Sequence, residues 1–538
     1  MKVTCRCSSS KDEPSTSSRA STKLRRIPPE RGLQQLQLTE YKNGEIIELR
    51  QQDFFILRKE QFEKTWWFRD PLFPKELFLN SGEEALRPKD IVMKPQEPVL
   101  FIDNKKPFRV KQGSLGDCWF IVGLVHLEYY PNLFKFIVSP YEQTFDVNIY
   151  AGIFHFRFWQ AGIWVDVVID DRLPTEEEEL VYASSGYPNE FWPALIEKAY
   201  AKLMYRSYKK LDGGFSRISM QDLSGGISET YIVKATSKIL FKIIQDAKDR
   251  STMISCGTRN ENKFKKLFGK SVFNIGPGHS YAVTSVKIVK GDKAGIIGEF
   301  RLIRIRDPYG EKSVDLHHGN IKDLFTEATL ASKLDTEIDE ESWILYDDFV
   351  KYFSYVEICN LTPNQITNHV YSNTGKKLAL SAIEGKFMGA VTSEQVAYND
   401  FFTINPQYRM VLTKSDEVLI GVSLKRRHDV EKISISRIFF EIISFDGDDT
   451  TRVPQPLFTS FIEPHKFGPF KSRGQVGKRI DLEPEKIQKY SPIENGENLN
   501  KVYHKMFDQL WKNKQEKKYK RQADEPADNE RSFKKIKI

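Results

Sequence analysis

The stretch KQGSLGDCWFIVGL, residues 111–124, sets a cysteine between a loop with two glycines and an apolar run. This pattern predicts a buried helix with Cys118 in its first turn, where the helix dipole lowers the pKa of a thiol and favours the thiolate. Ser114 or Asp117 would cap that helix. Gln112 would place a side-chain amide beside the Cys118 backbone N–H, and these two donors would form an oxyanion hole. The alternative is that Cys118 only fills a core, as most free cysteines do.

A thiolate nucleophile needs a histidine that transfers protons, and His279 is the best placed of the nine histidines. It follows Gly-Pro-Gly (276–278) and opens the alternating segment HSYAVTSVKIV, which predicts a strand that could aim the ring across a cleft. The alternative is a surface histidine at a strand end. His126 lies eight residues along the helix of Cys118, about 12 Å away, and His155 lies on the polar face of a predicted strand, where a surface position is expected.

A third group should orient the histidine. The segment RLIRIRDPYG (301–310) predicts a strand that ends at Asp307, 28 residues after His279 (307 − 279). A carboxylate at the end of a neighbouring strand could hold the imidazole and favour its charged form. The alternative is that Asp307 caps the Pro-Tyr-Gly turn, or pairs with Arg304 or Arg306.

The periodicity of the chain supplies elements that would carry these residues. A helix runs from Cys118 to Pro131, a hairpin joins two alternating strands, and the segment DLSGG (222–226) is a hinge between two lobes. Beyond residue 358 short strands are spaced as in a β-sandwich. The predicted segments are the strands 153–159, 163–171, 279–289, 299–307, 407–412, 417–424 and 437–445 and the helix 190–205.

Composition narrows the class of protein. The net charge of +8 comes largely from clusters near the two ends, and the middle of the chain is mixed in sign, which argues against nucleic-acid binding. Five scattered cysteines and the lack of a signal-peptide pattern predict reduced thiols in the cytoplasm. No apolar run is long enough for a membrane span. The basic segments KKYKR (517–521) and KKIKI (534–538) fit a bipartite nuclear signal or a solvated, disordered terminus.

Several motifs together resemble one known family. In this order, QGSLGDCWF, AGIFHFRFWQAGIWVDVVIDDRLPT, EFWPALIEKAYAKL, GPGHSYAVTSV and RLIRIRDPYGE are similar to the protease core of calpains, and WFRDPLFP and EICNLTP also look calpain-like. Residues 359–490 resemble the calpain β-sandwich domain. The resemblance implies an α+β fold: a two-lobed papain-like cysteine protease core, with a helical lobe and a β-rich lobe, followed by an antiparallel β-sandwich.

Composition and the resemblance together predict a domain organisation, in which a start rich in Ser, Thr and charge, with few apolar residues to bury, indicates disorder. It comprises a disordered N-terminal tail, a first core lobe with the nucleophile, a second lobe with His279 and Asp307, a calpain-type β-sandwich, and a helix with a basic tail: 1–45, 46–225, 226–358, 359–491 and 492–538. No calcium-binding loop of the EF-hand pattern occurs in the sequence, so we expect no dimerisation with an EF-hand small subunit.

The function implied by the resemblance is limited proteolysis of intracellular protein substrates by a calcium-regulated cysteine endopeptidase. Cys118 would be the nucleophile, His279 the proton carrier, Asp307 its orienting group, and Gln112 an oxyanion donor. One alternative is a calpain-like scaffold whose catalysis is weakened or lost and which acts by binding proteins. Another is a transglutaminase, in which Cys-His-Asp is the usual triad, but the sequence around the cysteine and histidine favours calpains.

The chain departs from the calpain pattern at the active site. Calpains have asparagine followed by Pro-Trp-Gly where this chain has Asp307 followed by Pro-Tyr-Gly. An aspartate can still orient the histidine, but Tyr309 replaces a tryptophan that helps to wall the site, so weakened activity is expected.

The chain also retains fewer of the calcium ligands of the family. Glu190, Asp339 and Glu341 resemble retained metal ligands, whereas three other ligand positions are occupied by Arg109, Ser313 and Asn320. Fewer carboxylate ligands predict weaker calcium binding, so regulatory calcium is expected in weakened form.

Overall fold

The computed structural model describes residues 46–361, except positions 63, 65, 94, 128, 161, 205 and 251 and the segments 103–109, 147–149, 259–274, 294–295 and 311–340. Outside this range it describes six strands, two of which precede it: β1 (Lys2–Ser9) and β2 (Gln34–Gln35). We refer to residues 46–225 as the helical lobe and to residues 226–361 as the β-rich lobe.

The helical lobe packs short strands around long buried helices. Its elements are β3 (Ile46–Glu48), α1 (Phe54–Phe62), α2 (Lys75–Phe78), β4 (Glu84–Leu86), α3 (Pro88–Ile91), β5 (Val110–Lys111), α4 (Cys118–Leu127), α5 (Pro131–Val138), β6 (Ile153–Gln160), β7 (Ile163–Asp170), β8 (Leu173–Glu176), β9 (Glu179–Leu180), β10 (Ser184–Ser185), α6 (Trp192–Met204) and α7 (Ser216–Asp222), with 3-10 turns at Leu49–Gln51 and Tyr208–Leu211.

The predicted helix after the cysteine is confirmed as α4. Residues 119–127 are all buried, which suits a helix that is apolar on every side. The following proline does not only stop the chain from continuing: Pro131 is the first residue of α5, where its missing N–H costs no hydrogen bond. The helix predicted over 190–205 is observed as α6.

The predicted hairpin is also present, but one of its residues is placed differently. β6 and β7 pair antiparallel, and β3 adds a parallel strand at the edge of β7. Phe154, Phe156 and Phe158 are buried on one face as expected. The prediction that His155 lies on the surface is wrong: its side chain is fully buried, because α1 covers the second face and stacks Phe54 on the imidazole ring.

The described part of the β-rich lobe consists of one antiparallel sheet and two helices. Its six strands run in the order β11-β16-β12-β13-β14-β15. The elements are β11 (Ile227–Ile232), α8 (Val233–Asp249), β12 (Thr252–Thr258), β13 (Ser280–Lys293), β14 (Ile296–Arg306), β15 (Glu341–Leu345), α9 (Tyr346–Tyr352) and β16 (Phe353–Asn360).

Each lobe has its own hydrophobic core, and a small third cluster joins them. The core of the helical lobe centres on α4, α6 and the hairpin, and that of the β-rich lobe lies between its sheet and its helices. The joining cluster consists of Val122 and Val125 of α4 and Ala282 of β13. The helix that begins with Cys118 therefore packs directly on the strand that follows His279.

Four strands are described after residue 361. They are β17 (Gln407–Arg409), β18 (Asp416–Val422), β19 (Ser436–Ile443) and β20 (Val476–Leu482), and they fall within the segments predicted as strands or within the expected sandwich. β18 pairs antiparallel with β20. Most of the expected sandwich and all of residues 492–538, including both basic segments, lie outside the described residues, so those domain boundaries stay predictions.

The predicted N-terminal disorder is wrong for residues 2–9. This segment forms β1, which pairs antiparallel with β19 and β17. Low apolar content argued for disorder, but a strand obtains its backbone hydrogen bonds from its neighbours, and Val3 and Thr4 have high strand propensity. Within the described part of the chain, no helix has the length and apolar character needed to cross a membrane.

Candidate active site

The predicted nucleophile lies where a helix begins. The Asp117 carbonyl accepts the first helical hydrogen bonds, from the N–H groups of Phe120 (2.7 Å) and Ile121 (3.2 Å), so Cys118 is the first residue of α4. Its side chain is half-buried, whereas Cys256 and Cys359 are fully buried. Of these three cysteines, Cys118 is therefore the one that a substrate can reach.

The loop before Cys118 is held against its surroundings by backbone contacts. The Ser114 N–H donates to the Val181 carbonyl (2.9 Å), and the Gly116 carbonyl accepts from the Gly213 N–H (2.8 Å). A β-carbon at Gly113 would collide with the carbonyl of Val181. Glycine is therefore required there because the two chain segments approach closely, and the loop is fixed on both sides before the helix starts.

His279 and Asp307 lie side by side because their strands are neighbours. His279 directly precedes β13 and Asp307 directly follows β14, and these strands pair with Ala282 opposite Arg306. The Asp307 Oδ1 atom lies 3.0 Å from His279 Nε2. Thr258 of β12 holds the histidine backbone, since its hydroxyl accepts from the His279 N–H (3.0 Å). Asp307 also caps the turn that follows it, since its Oδ1 atom accepts from the Tyr309 N–H (2.9 Å), whereas Arg304 pairs with Glu341.

The thiol of Cys118 interacts with the His279 side chain. Since Nε2 faces Asp307, Nδ1 is the ring nitrogen left for the thiol. Burial alone would lower the pKa of His279, but the hydrogen bonds and negative charges of Asp307 and Cys118 outweigh it and raise this pKa to about 9. The imidazole is therefore protonated at neutral pH, as a thiolate–imidazolium pair requires.

Tyr309 covers the histidine from the solvent side. Its ring stacks on the His279 imidazole, with centroids 5.1 Å apart and planes 15° apart, while 47% of the residue remains exposed. Tyr281 meets the same imidazole edge-on at 4.9 Å. The tyrosine thus provides an aromatic wall where a tryptophan was expected. The signal for it, an aromatic residue two positions after Asp307, was visible in the sequence.

Gln112 lies in the same cleft and connects its two sides. Its side chain is buried, and Nε2 donates one hydrogen bond to the Leu115 carbonyl (2.6 Å), which fixes the amide beside the Cys118 loop. Its backbone N–H donates to the Pro308 carbonyl (2.8 Å) of the turn after Asp307. The structure thus brings together Cys118, His279, Asp307 and Gln112, the four residues that the sequence singled out for catalysis.

Comparison with known proteins identifies a family whose members resemble this chain. The family model described as "Calpain family cysteine protease" matches residues 68–360, which is 293 residues (360 − 68 + 1) and more than half of the chain. The chain belongs to the calpain family. This membership decides against the transglutaminase alternative.

Individual calpains are similar over most of the chain. Calpain-A of Drosophila melanogaster is 34% identical over 492 residues, covering 85% of this chain and 58% of that protein. Calpain clp-1 of Caenorhabditis elegans is 32% identical, covering 85% and 61%. The human calpain-2 catalytic subunit is 36% identical over 414 residues, covering 71% and 56%. The chain thus spans about three fifths of the length of these calpains.

The first calcium position expected from calpains is occupied by hydrogen bonds within the protein. Glu190 is buried, its Oε1 atom accepts from the Ile102 N–H (2.8 Å), and its Oε2 atom accepts from the Ser185 hydroxyl (2.6 Å). No group of three or more His, Cys, Asp or Glu side chains that could hold a metal ion occurs among the described residues. Among the described residues Glu190 stands as a single carboxylate with both oxygens engaged, which does not fit a calcium ion with its six to eight oxygen ligands.

The second expected position is neutralised by a basic side chain. Arg304 forms an ion pair with Glu341 (Nε to Oε2, 2.8 Å), and the Tyr129 hydroxyl donates to the other carboxylate oxygen (2.8 Å). Lys248 lies nearby; burial, and after it the charge of Arg304, lowers its pKa to about 8. Two cationic side chains beside Glu341 do not fit a calcium ion. Asp339 lies outside the described residues.

Proposed function

We propose that the chain is a calpain-type cysteine endopeptidase that cleaves peptide bonds in protein substrates. The observation that carries this proposal is the arrangement of Cys118, His279 and Asp307, in which a thiol at a helix start interacts with a histidine that is itself held by a buried carboxylate. Because the chain spans only part of the length of known calpains, its activity and its protein substrates are proposals, as is an intracellular location.

The geometry supports a two-step reaction. The Cys118 thiolate attacks the carbonyl carbon of the substrate, and the tetrahedral oxyanion accepts hydrogen bonds from the Cys118 N–H and from the Gln112 amide, which retains a second N–H. The C–N bond breaks as His279 gives its proton to the leaving amine, which leaves a thioester. His279 then takes a proton from water, and the hydroxide adds to the thioester carbonyl carbon. The C–S bond breaks, the carboxylic acid leaves, and the thiolate–imidazolium pair of Cys118 and His279 is restored.

The negative charge of Asp307 keeps His279 protonated in the resting state and orients its ring. Tyr309 limits the access of water to the imidazole by stacking on it. Both departures from the calpain motif are therefore compatible with catalysis.

Calcium regulation through the protease core is proposed to be weak. The carboxylate of Glu341 is engaged by Arg304 and Tyr129, and that of Glu190 by Ile102 and Ser185. A calcium ion would have to displace these partners before it could bind.

The experiment is cleavage of casein by the purified chain, with Cys118→Ala as the control, in calcium-chelating buffer and at increasing calcium concentrations. We expect cleavage by the wild-type chain, none by the variant, and a change of less than about tenfold in rate with calcium. Cleavage that the substitution leaves intact, or no cleavage at any calcium concentration by a folded chain, would exclude the endopeptidase. A strict requirement for calcium would exclude weak regulation alone.

The second candidate is a scaffold that binds proteins without cleaving them. It is favoured by the replacement of the calpain Asn and Trp by Asp307 and Tyr309. The same assay separates the two functions, because a scaffold would release no casein fragments while circular dichroism showed a folded chain.

A further inference from the structure

Two carboxyl groups are buried in the core of the helical lobe, and one of them is adjacent in sequence to the nucleophile. Asp117, the residue before Cys118, is fully buried, and Glu197 in the middle of α6 is 1% exposed. The two carboxyl groups interact with each other electrostatically. Glu197 also accepts from the Ala183 backbone N–H with both oxygens, at 3.2 and 3.1 Å.

A hydrogen bond between these two side chains requires a proton. Two carboxylate groups have no hydrogen to share, so a hydrogen bond between them forms only when one is protonated. Neither side-chain oxygen of Asp117 has a hydrogen-bond partner among the described residues, and a proton shared with Glu197 would supply one. The predicted capping of α4 by the Asp117 side chain is therefore not observed, because the carboxyl group is turned inward and only the backbone carbonyl caps the helix.

Among the described residues, the groups that interact with this pair give it no positive charge. Those that interact electrostatically with one or both carboxyls are Asp212 from the loop after the 3-10 turn, Tyr208, Tyr182 and Tyr309. Burial, with the mutual repulsion of the pair, raises the pKa of Glu197 well above its ordinary value, and burial raises that of Asp117 to about 7. Without a cation, ionising both groups is costly.

We propose that Asp117 and Glu197 hold one proton between them and that this protonated pair positions the first turn of α4, and with it Cys118. Asp117 and Glu197 are positioning residues, since neither touches the substrate. The inference rests on the role proposed for Cys118. The pair supports the position of the nucleophile in addition to the backbone contacts of the loop that precedes it.

Glutamine at position 197 reproduces the protonated glutamate. Its oxygen can accept from the Ala183 N–H while its amide donates to Asp117, and it cannot ionise. Methionine has a similar volume but can do neither, and it would leave the Asp117 carboxylate buried without a donor. Glu197→Gln and Glu197→Met thus form a matched pair that separates the hydrogen bond from the packing.

Casein cleavage at pH 7.5 measures the effect on Cys118. We expect Glu197→Gln to keep kcat within about threefold of wild type, and Glu197→Met to lower kcat at least tenfold with KM within about threefold, because only the geometry of the nucleophile changes. If both variants lost activity equally, or if a folded Glu197→Met kept full kcat, the positioning role would be wrong.

Thermal and urea unfolding between pH 5 and 9 test the shared proton without reference to activity. The folded chain keeps a proton that the unfolded chain loses above about pH 4.5. As the pH increases, the unfolding constant of the wild type should therefore rise relative to that of Glu197→Gln, by up to about tenfold per pH unit. A ratio that does not change with pH would exclude the shared proton. The result holds whether or not the wild type cleaves casein.

Discussion

At the scale of single residues, the carboxylate of Asp307 sets the charge of the catalytic histidine. Its Oδ1 atom lies 3.0 Å from His279 Nε2 and accepts from the Tyr309 N–H at 2.9 Å, so its orientation is fixed by the turn that follows β14. A neutral asparagine could make the same two contacts but would lack the charge. Asp307 thus combines orientation with stabilisation of the imidazolium.

Asp307→Asn should shift the alkaline limb of kcat/KM to lower pH. In the wild type the pKa of His279 is raised to about 9, so the imidazolium is present below this pH and is lost as the pH rises through it. Without the neighbouring negative charge this pKa should fall by about 1–3 units. A pH–rate profile with a peptide substrate measures the shift, and kcat/KM near pH 6 should change little.

The control for this prediction is Asp246→Asn, which removes an exposed carboxylate of the surface pair with Lys242. Its profile should match that of the wild type. An alkaline limb in Asp307→Asn that coincides with the wild-type limb would mean that Asp307 acts through orientation alone.

At the scale of elements, α6 holds the helical lobe together with two buried lysines. Lys198 forms an ion pair with Asp170 at the end of β7 (2.6 Å), and Lys202 forms one with Asp70 in the segment before α2 (2.6 Å). All four side chains are at most 2% exposed. Each charge is therefore tolerated in the core only while its partner is present.

Lys202→Met should destabilise the chain strongly. The substitution leaves the carboxylate of Asp70 buried without its cation, which costs about 3–5 kcal/mol of unfolding free energy. Lys242→Met, which breaks an exposed pair one helical turn apart on α8, is the matched control and should leave the urea midpoint nearly unchanged. Equal midpoints for Lys202→Met and wild type would show that the buried pair does not stabilise the fold.

The elements differ in how well the sequence could predict them. α6 and the β6–β7 hairpin were predicted from their apolar periodicity, and α4 from a continuous apolar run that ends before a proline. α8 was not predicted, although Val233, Leu240, Ile244 and Ala247 are buried at helical spacing, since several polar residues interrupt the pattern. The burial of His155 could not be predicted, because alternation within a strand does not show whether a distant helix covers its polar face.

At the scale of the whole molecule, direct contacts join the two lobes around the cleft. Besides the packing of α4 on β13, Tyr129 donates to Glu341, and the His126 Nε2 atom lies 2.8 Å from the Ile254 carbonyl. Burial lowers the pKa of His126 to about 3, so this histidine is neutral and donates without carrying charge. These contacts fix the position of the nucleophile on one lobe relative to the histidine on the other.

Tyr129→Phe should weaken the connection between the lobes. The substitution removes a hydrogen bond to a charged group that pairs with Arg304, and we expect a loss of about 1–3 kcal/mol of unfolding free energy. Urea unfolding measures the loss. Tyr141→Phe, at a tyrosine that is 75% exposed, is the control and should change nothing. If both variants unfolded like the wild type, the hydrogen bond to Glu341 would not contribute to stability.

The catalytic residues could be proposed from sequence because each lies in a short motif with a chemical rationale. Their meeting could not be read from spacing, since Cys118 and His279 are 161 residues apart (279 − 118) and come together only when α4 packs on β13. The ion pair at Glu341 and the carboxyl pair of Asp117 and Glu197 depend on tertiary contacts between distant segments. No local pattern could have revealed them.

The central claim is that Cys118 is the nucleophile of an endopeptidase, and covalent labelling tests it most directly. The chain is treated with a peptidyl epoxide, the modified cysteine is located by mass spectrometry, and the casein cleavage that remains is measured on the same samples. We predict one label at Cys118, none at the buried Cys256 and Cys359, and loss of cleavage in proportion to labelling. Cleavage that persists when Cys118 is fully modified would contradict the claim.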